Sequence, residues 1–418
     1  MPSPNQRPQR QRPSRRQFLQ RAALLAAGAP ALAGLLDACS KGEQSDWPAN
    51  LKIAAPNNPV TWEITSDNSP IADGLGPEKG SELHVFTYAD YIGEEAINSF
   101  EDRYGTRVRI STFNSTDDAL TTIRDGGVDF DVYTPSYDQI GRMVTGGLLR
   151  PLNHSYIPNI TNVWPQFSNP WYDGGWRYSV PYSVYSTGIG WRTDQIPADI
   201  GALANPYDAL WDPAYKNQTA VIDDVHTVIS MVLLKLGITD VNTSSPGDLE
   251  KVGAALTELR TNTAPAVTAT MYTDLPAGLI SLSLMWSDDM ISAKDFLPED
   301  VSPDILRYWF PSDGKGLVDN DLMVTPRGGR NPVAAQLFIN HILDPAVAKS
   351  NFAATGSLSP QVSFNPENLV ASGLVPANLK STIVRPEYLD VGYRILELEP
   401  ANSEAWDGIW RAFKTRQN

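Results

Sequence analysis

The sequence predicts an α/β fold that opens on a parallel sheet, and three observations carry this. From Leu83 onward, short apolar runs alternate with helical periods over short links. The ends of those runs share one composition, aromatic rings beside carboxylates. The roughly 380 residues that follow the N-terminal segment are enough for two lobes with their own cores.

Leu83-His84-Val85-Phe86-Thr87-Tyr88 reads as a buried strand. Glu94–Tyr104 follows with Ile97, Phe100 and Tyr104 at helical spacing and stops at Gly105. Val108 and Ile110 alternate in a second strand, Leu120 and Ile123 mark a helix closed by Gly126-Gly127, and Phe130–Tyr133 is strand again. Later segments repeat the theme. Val228–Leu236 and Leu249–Leu259 are helices, Ile280, Leu282, Leu284 and Trp286 alternate, and Leu322-Met323-Val324 precedes a helical period over Pro332–Leu343. Trp406, Ile409, Trp410 and Phe413 make a closing amphipathic helix.

The N-terminus is of another kind. Ser14-Arg15-Arg16-Gln17-Phe18-Leu19 leads into the apolar run Ala22–Leu36, fifteen residues against the roughly 20 of a spanning helix, and then into Leu36-Asp37-Ala38-Cys39. The paired arginines resemble a twin-arginine export signal and Leu-x-Ala-Cys resembles a lipobox. Residues 1–38 are therefore expected to be a signal peptide and Cys39 the lipidation site of an exported, lipid-anchored protein, held at the outer face of the cell membrane or in the periplasm. The single cysteine allows no intramolecular disulfide. Residues 39–80, with Pro48, Pro56, Pro59, Pro70 and Pro77, read as an extended leader, although Val60, Trp62 and Ile64 alternate.

Six arginines and one aspartate before residue 40 leave 27 basic against 47 acidic residues, a net charge of −20. That balance argues against nucleic acid and anionic lipid as partners and favours cations. In open α/β sheets ligands bind beyond the C-terminal strand ends. Here those ends carry Tyr88, Asp90 and Tyr91, then Ser136, Tyr137 and Asp138, then Asp223-Asp224, then Trp286 and Asp288-Asp289, with Asp319-Asn320-Asp321 before Leu322. Rings offer their faces to cations and carboxylates make charge-assisted hydrogen bonds, a lining suited to a flexible ligand bearing ammonium groups. Each such residue has a plain structural alternative, as a helix cap or as core.

Catalysis is poorly served. His84, His154, His226 and His341 are scattered with no HExxH or C-x-x-C partner, so no metal site is expected. There is no G-x-S-x-G elbow and no phosphate-binding glycine loop, and Gly188-x-Gly190 is too short for a dinucleotide fingerprint. His226 beside Asp224 leaves an enzyme as the minor alternative; a sensor that binds the same ligand is another.

Several stretches resemble the spermidine/putrescine-binding proteins of bacterial ABC importers: Val85–Tyr91, Val132–Met143, Ser179-Val180-Pro181-Tyr182, Ser186–Gly190, Ala209–Lys216, Asp223-Asp224 and Ile339–Ala348. The resemblance implies a two-lobed periplasmic-binding-protein fold of type II with hinge-linked, discontinuous lobes. It places residues 81–187 and 289–325 in one lobe and 188–288 and 326–418 in the other. It implies a monomer with no cofactor that captures a polyamine between its lobes and delivers it to a permease, touching the membrane only through its lipid. It also assigns ligand-binding roles: Tyr88 and Tyr91 as the first aromatic box, Ser136 with Tyr137 or Asp138 beside it, Asp224 as the amine-gripping carboxylate, Trp286 and Asp288, Gln361, and Tyr272 as a further ring. Two positions depart from the family pattern. Thr227 stands where a glutamate is frequent, and Asp319 stands where an aromatic is usual.

Overall fold

The computed structural model describes residues 51–113, 116–126, 129–364 and 366–415. The signal segment and Cys39 lie outside the described residues. No helix among those described is long and apolar enough to cross a membrane.

The alternation seen in the sequence becomes one sheet ordered β2-β1-β3-β9-β4-β7-β5-β6, with β8 also on β4. β1 (Glu82–Tyr88) lies parallel between β2 (Arg107–Phe113) and β3 (Val132–Tyr133). α1 (Glu94–Tyr104) makes the first crossover. Glu94 and Glu95 complement the positive end of its dipole, and Gly105 ends it at φ 68°, donating its N–H to the Glu101 carbonyl at 2.8 Å. Phe100 is fully buried on its inner face, and such a ring contributes about 1.5–3 kcal/mol. α2 (Thr116–Asp125) leads to β3, and α3 (Ile140–Thr145) follows it.

On the other side β5 (Thr219–Ile222) lies parallel between β6 (Ala266–Thr268) and β7 (Leu282–Trp286). α4 (Val225–Lys235), α5 (Pro246–Thr263), α6 (Met271–Asp274) and α7 (Ser287–Ala293) surround this half. β8 (Leu306–Trp309) pairs antiparallel with the end of β4 (Ser179–Arg192).

The two parallel groups are joined by antiparallel strands. β4 is fourteen residues long. Its first part, Ser179–Thr187, pairs with β9 (Leu317–Val324), and from Thr187 to Trp191 it pairs with β7. The register shifts between Pro181 and Ser183, where a proline without an N–H costs no ladder bond. The Gly188-x-Gly190 spacing now has a packing reason. A Cβ on Gly188 would meet the Trp309 carbonyl oxygen at 2.2 Å, and one on Gly190 would meet Met285 Sδ at 2.3 Å.

α8 (Pro332–Ile342) and α9 (Pro345–Thr355) pack against α1. α10 (Pro400–Thr415) packs against α4 and α5. β8 joins the sheet on the end of β4, and α9 also packs on α7. β9 is also longer than Leu322-Met323-Val324, and Asp319-Asn320-Asp321 lie within it rather than at a strand end.

The leader does not stand off from the body where it is described. Val60 N–H donates to the Trp171 carbonyl at 2.8 Å, Trp62 Nε1 donates to the Tyr172 carbonyl at 2.8 Å, and both side chains are buried. Of the alternating trio, Ile64 is exposed.

Gly188→Ala should lower stability by about 1–3 kcal/mol, because the obstacle is backbone and cannot rotate away. Urea unfolding should show a lower midpoint at unchanged slope. An unchanged midpoint would mean that β8 can move off β4 freely.

Candidate functional site

The C-terminal ends of β1, β3, β5 and β7 all deliver polar side chains, and β9 adds two carboxylates. Beyond β1 the chain turns at Asp90, held at φ 55°. Tyr88 and Tyr91 meet edge to face at 5.6 Å. Tyr91 Oη donates to Asp321 Oδ2 at 2.7 Å and also touches Ser183 Oγ. Tyr185 Oη donates to Asp321 Oδ1 at 3.3 Å, and Ser136 forms a β-bridge with Asp321. Asp321 is 4% exposed, and burial pushes its carboxyl well above the usual range despite those donors, with Asp288 adding like charge.

At the end of β7, Trp286 lies 6.2 Å from the Tyr185 ring. Asp288 and Asp289 then open α7. Burial holds the Asp288 carboxyl at about 6. Burial together with the charge of Asp288 pushes Asp289 higher, and Asp289 Oδ2 is buried with no hydrogen-bond partner. No ion pair among the described residues reaches Asp288, Asp289 or Asp321.

Asp224 caps α4, accepting the Thr227 N–H at 2.7 Å. The structural alternative holds here alongside any binding role. Burial raises its carboxyl, opposed by His226. Its neighbour Asp223 instead pairs with Lys414 at 2.6 Å. Asp138 comes from the other half of the sheet, with Oδ2 3.6 Å from His226 Nδ1. Burial acts to raise the Asp138 carboxyl, but hydrogen bonds and charge from His226, with help from Ser136 and Arg142, bring it below the usual value. A second bridge between the halves runs from Tyr272 Oη to Asp90 Oδ2 at 3.2 Å.

Beside this cluster lies a segment that strand-end reasoning missed. Arg394 stacks over the Tyr137 ring at 4.4 Å and lies 5.9 Å from the Trp171 ring. Its Nη2 donates to Asn320 Oδ1 at 2.5 Å, and its Nε is 3.6 Å from Asp319 Oδ1. Tyr137 Oη lies 2.7 Å from the same Asp319 oxygen. Burial raises Asp319 to about 6 even with the guanidinium pulling it down. Three residues on, Glu397 pairs with Arg142 at 2.5 Å, both nearly buried, and burial still lifts Glu397 to about 7.

The structure thus gathers Tyr88, Asp90, Tyr91, Ser136, Tyr137, Asp138, Asp224, Thr227, Tyr272, Trp286, Asp288 and Asp319 around one seam. Tyr137 faces Arg394, and Thr227 serves the Asp224 cap. Gln361 does not join them. It is fully buried elsewhere, its Nε2 donating to the Leu343 carbonyl at 2.9 Å and its own carbonyl accepting from Trp164 Nε1. Asp289 and Asp321, which the sequence placed among the strand-end carboxylates but the resemblance gave no binding role, join the seam, and Tyr185 was not singled out. The signal for Asp321 was present, since two carboxylates two residues apart inside an apolar strand are costly without a purpose. A surface hollow of about 590 Å³ bordered by Phe310, Lys380, Arg385 and Tyr388 shares no residue with the seam.

Comparison with known proteins agrees with this architecture. The family model for bacterial extracellular solute-binding proteins matches residues 95–373. The chain belongs to that family. The spermidine/putrescine-binding periplasmic protein of Salmonella typhimurium is 29% identical over 294 residues, 67% of this chain and 80% of that protein. The putrescine-binding periplasmic protein PotF of Escherichia coli is 26% identical over 305 residues, 68% of this chain and 82% of that one. The structure of the spermidine/putrescine ABC transporter substrate-binding protein PotD from Streptococcus pneumoniae matches with a TM-score of 0.64 at 25% identity, over 81% of this chain and 100% of that chain. This solute-binding protein accordingly has the two-lobed periplasmic-binding-protein fold.

The raised carboxyls set a sign for stability. A group that is easier to protonate folded than unfolded destabilises the fold as pH rises through its folded value, here about 6 for Asp288. Asp288→Asn should therefore stabilise the ligand-free protein by about 1–3 kcal/mol at pH 7.5 and by little at pH 4.5. Urea titrations at both pH values test this. A variant weaker than the parent at both would mean that Asp288 is held as an anion by a compensating charge.

Proposed function

We propose that this protein is the polyamine-binding component of an ABC importer, holding a linear polyamine in the seam between its lobes. One observation carries the reading. Asp321 is buried and Asp288 and Asp289 are half-buried, none with a cationic partner among the described residues, beside Tyr91, Tyr185 and Trp286. An ammonium group supplies what such carboxylates lack, and ring faces add about 0.5–2 kcal/mol per cation. The relatives support the ligand class, since proteins that bind spermidine and putrescine align with most of this chain.

The lobes in this reading are the β1 half with α1, α8 and α9, and the β5 half with α4, α5, α7 and β8. Their hinge is where β4 and β9 pass between them, near Ser186 and Thr187, which pair with Val318 and Leu317. A polyamine touching carboxylates of both lobes favours the closed form by its differential affinity. The closed face then docks on the permease. The excess of acidic residues draws cations toward the seam. Binding, release and docking need no bond to be broken, and no catalytic step is assigned.

Thermal-shift and calorimetric titration with putrescine, spermidine, spermine, agmatine and basic amino acids tests the proposal. Saturable binding of at least one polyamine is expected. Binding should weaken by about 2–5 kcal/mol in Asp288→Asn, the cost of stranding a buried charge. It should also weaken as pH falls below 6, because protonated carboxyls cannot pair with an ammonium. No binding of any of these cations, or equal affinity in the variant, refutes it.

The N-terminal reading is tested separately. Cys39 is proposed as the acylated first residue of the mature chain, and Cys39→Ala should move the protein from the membrane fraction to the soluble one or block its processing. Unchanged membrane association and unchanged mass would remove the lipid anchor from the account.

A further inference from the structure

One carboxylate–aromatic position of the seam already holds a cation, and the cation belongs to the chain itself. The Arg394 guanidinium lies over Tyr137 at 4.4 Å, with Trp171 at 5.9 Å, Asp319 Oδ1 at 3.6 Å and the Asn320 carbonyl oxygen at 2.5 Å. Its side chain is 8% exposed. Rings, a carboxylate and a neutral acceptor around a buried cation make the same kind of cage that an ammonium ligand would need.

The segment that presents Arg394 is fixed from both sides. Tyr393 pairs with the edge of β9 through Val318 N–H at 3.0 Å and the Gly316 carbonyl at 2.8 Å. Ile395 N–H donates to Asp319 Oδ1 at 3.2 Å. From the β5 half, Asn242 donates to the Arg394 carbonyl at 2.8 Å and accepts the Leu396 N–H at 2.7 Å. Glu397 is clamped by Arg142. Eight hundredths of exposure and this many anchors make Arg394 a built part of the seam.

We propose that Arg394 is a specificity-determining residue, an internal cation that takes the Asp319 position and shortens the stretch of the seam open to an external one. The inference rests on the polyamine reading above. Asp138 lies within electrostatic reach of both Asp319 and Asp321, so the Arg394 cage and the uncompensated carboxylates belong to one continuous cluster. A diamine can pair its charges with Asp321 and with Asp288 or Asp289. A triamine reaching further toward Asp138 and Asp319 meets a guanidinium in its path, and like charge at close range rejects it. The departure at Asp319 is thereby explained: the carboxylate is there for Arg394.

The test is calorimetric titration of the full chain and of Arg394→Ala with putrescine and spermidine, together with thermal shift by methylguanidinium. The parent should prefer putrescine. Arg394→Ala should shift the ratio of the two affinities toward spermidine by about tenfold or more, and it should gain a saturable stabilisation by methylguanidinium that the parent lacks. The double variant Arg394→Ala with Asp319→Asn, which removes the carboxylate with its partner, should lose both gains. If Arg394→Ala does not fold, Arg394→Gln keeps a donor for Asn320 and should show the same shift. A parent that prefers spermidine, or a ratio that stays within about twofold in the variant, overturns the inference while leaving polyamine binding intact. A parent that binds neither amine overturns the polyamine reading and with it the role assigned to Arg394.

Discussion

The rest of the structure depends on placing carboxyl groups in a low-water seam with no cation of the chain beside them, so that burial favours their protonated forms until a cation arrives. Asp321 is buried and receives hydroxyl donors from Tyr91 and Tyr185 rather than charge, while Asp288 and Asp289 are half-buried and Asp289 Oδ2 has no hydrogen-bond partner. Tyrosine hydroxyls satisfy lone pairs of Asp321 but bring no positive charge, so only a cation would favour the ionised carboxylates there. A fold optimised for stability alone would place amides or apolar side chains there. The cost is borne by the well-packed strands on either side, where β4 and β9 are buried along almost their whole length.

Those same strands set the distance across the seam. The glycines of β4 let β7 and β8 approach one strand from two directions, and no side chain could occupy that space. The antiparallel pair β4–β9 is the only part of the sheet shared by the two parallel groups. Side-chain contacts already cross between the groups, from the largely buried Asp138 to His226 and from Tyr272 to the exposed Asp90.

Much of this was legible beforehand. The strand-helix alternation from Leu83 gave the first half of the sheet, because a parallel strand buried on both faces leaves a short, unmistakable apolar run. The carboxylates at the ends of β1, β3, β5 and β7 were legible for the same reason: strand ends in such sheets are few and point one way. β4 was harder, since its proline, glycines and tyrosines break the apolar run that marks a buried strand. Asp319-Asn320-Asp321 were read as the end of a strand before Leu322, because three polar residues interrupt the apolar run, and only tertiary pairing makes one continuous β9. Gln361 shows how a polar side chain can be engaged by the fold itself, since its amide N–H donates to the Leu343 carbonyl at the end of α8.

Arg394 was beyond reach for a different reason. It lies seventy-three residues past Asp321 in sequence and follows no periodic element, so nothing local ties it to the seam. Its position makes sense only when charges are counted in three dimensions. By the pattern the resemblance implies, Thr227 stands where a carboxylate beside Asp224 is expected, and Asp319 adds one whose charge Arg394 offsets. The two departures together therefore lower the negative charge open to a ligand. They also confine it to the Asp288–Asp321 end, where burial rather than a nearby cation sets the protonation of each group. The selectivity of such a site is governed by how far its charge extends as much as by how much charge it holds, and a fixed guanidinium is a direct way of limiting that extent.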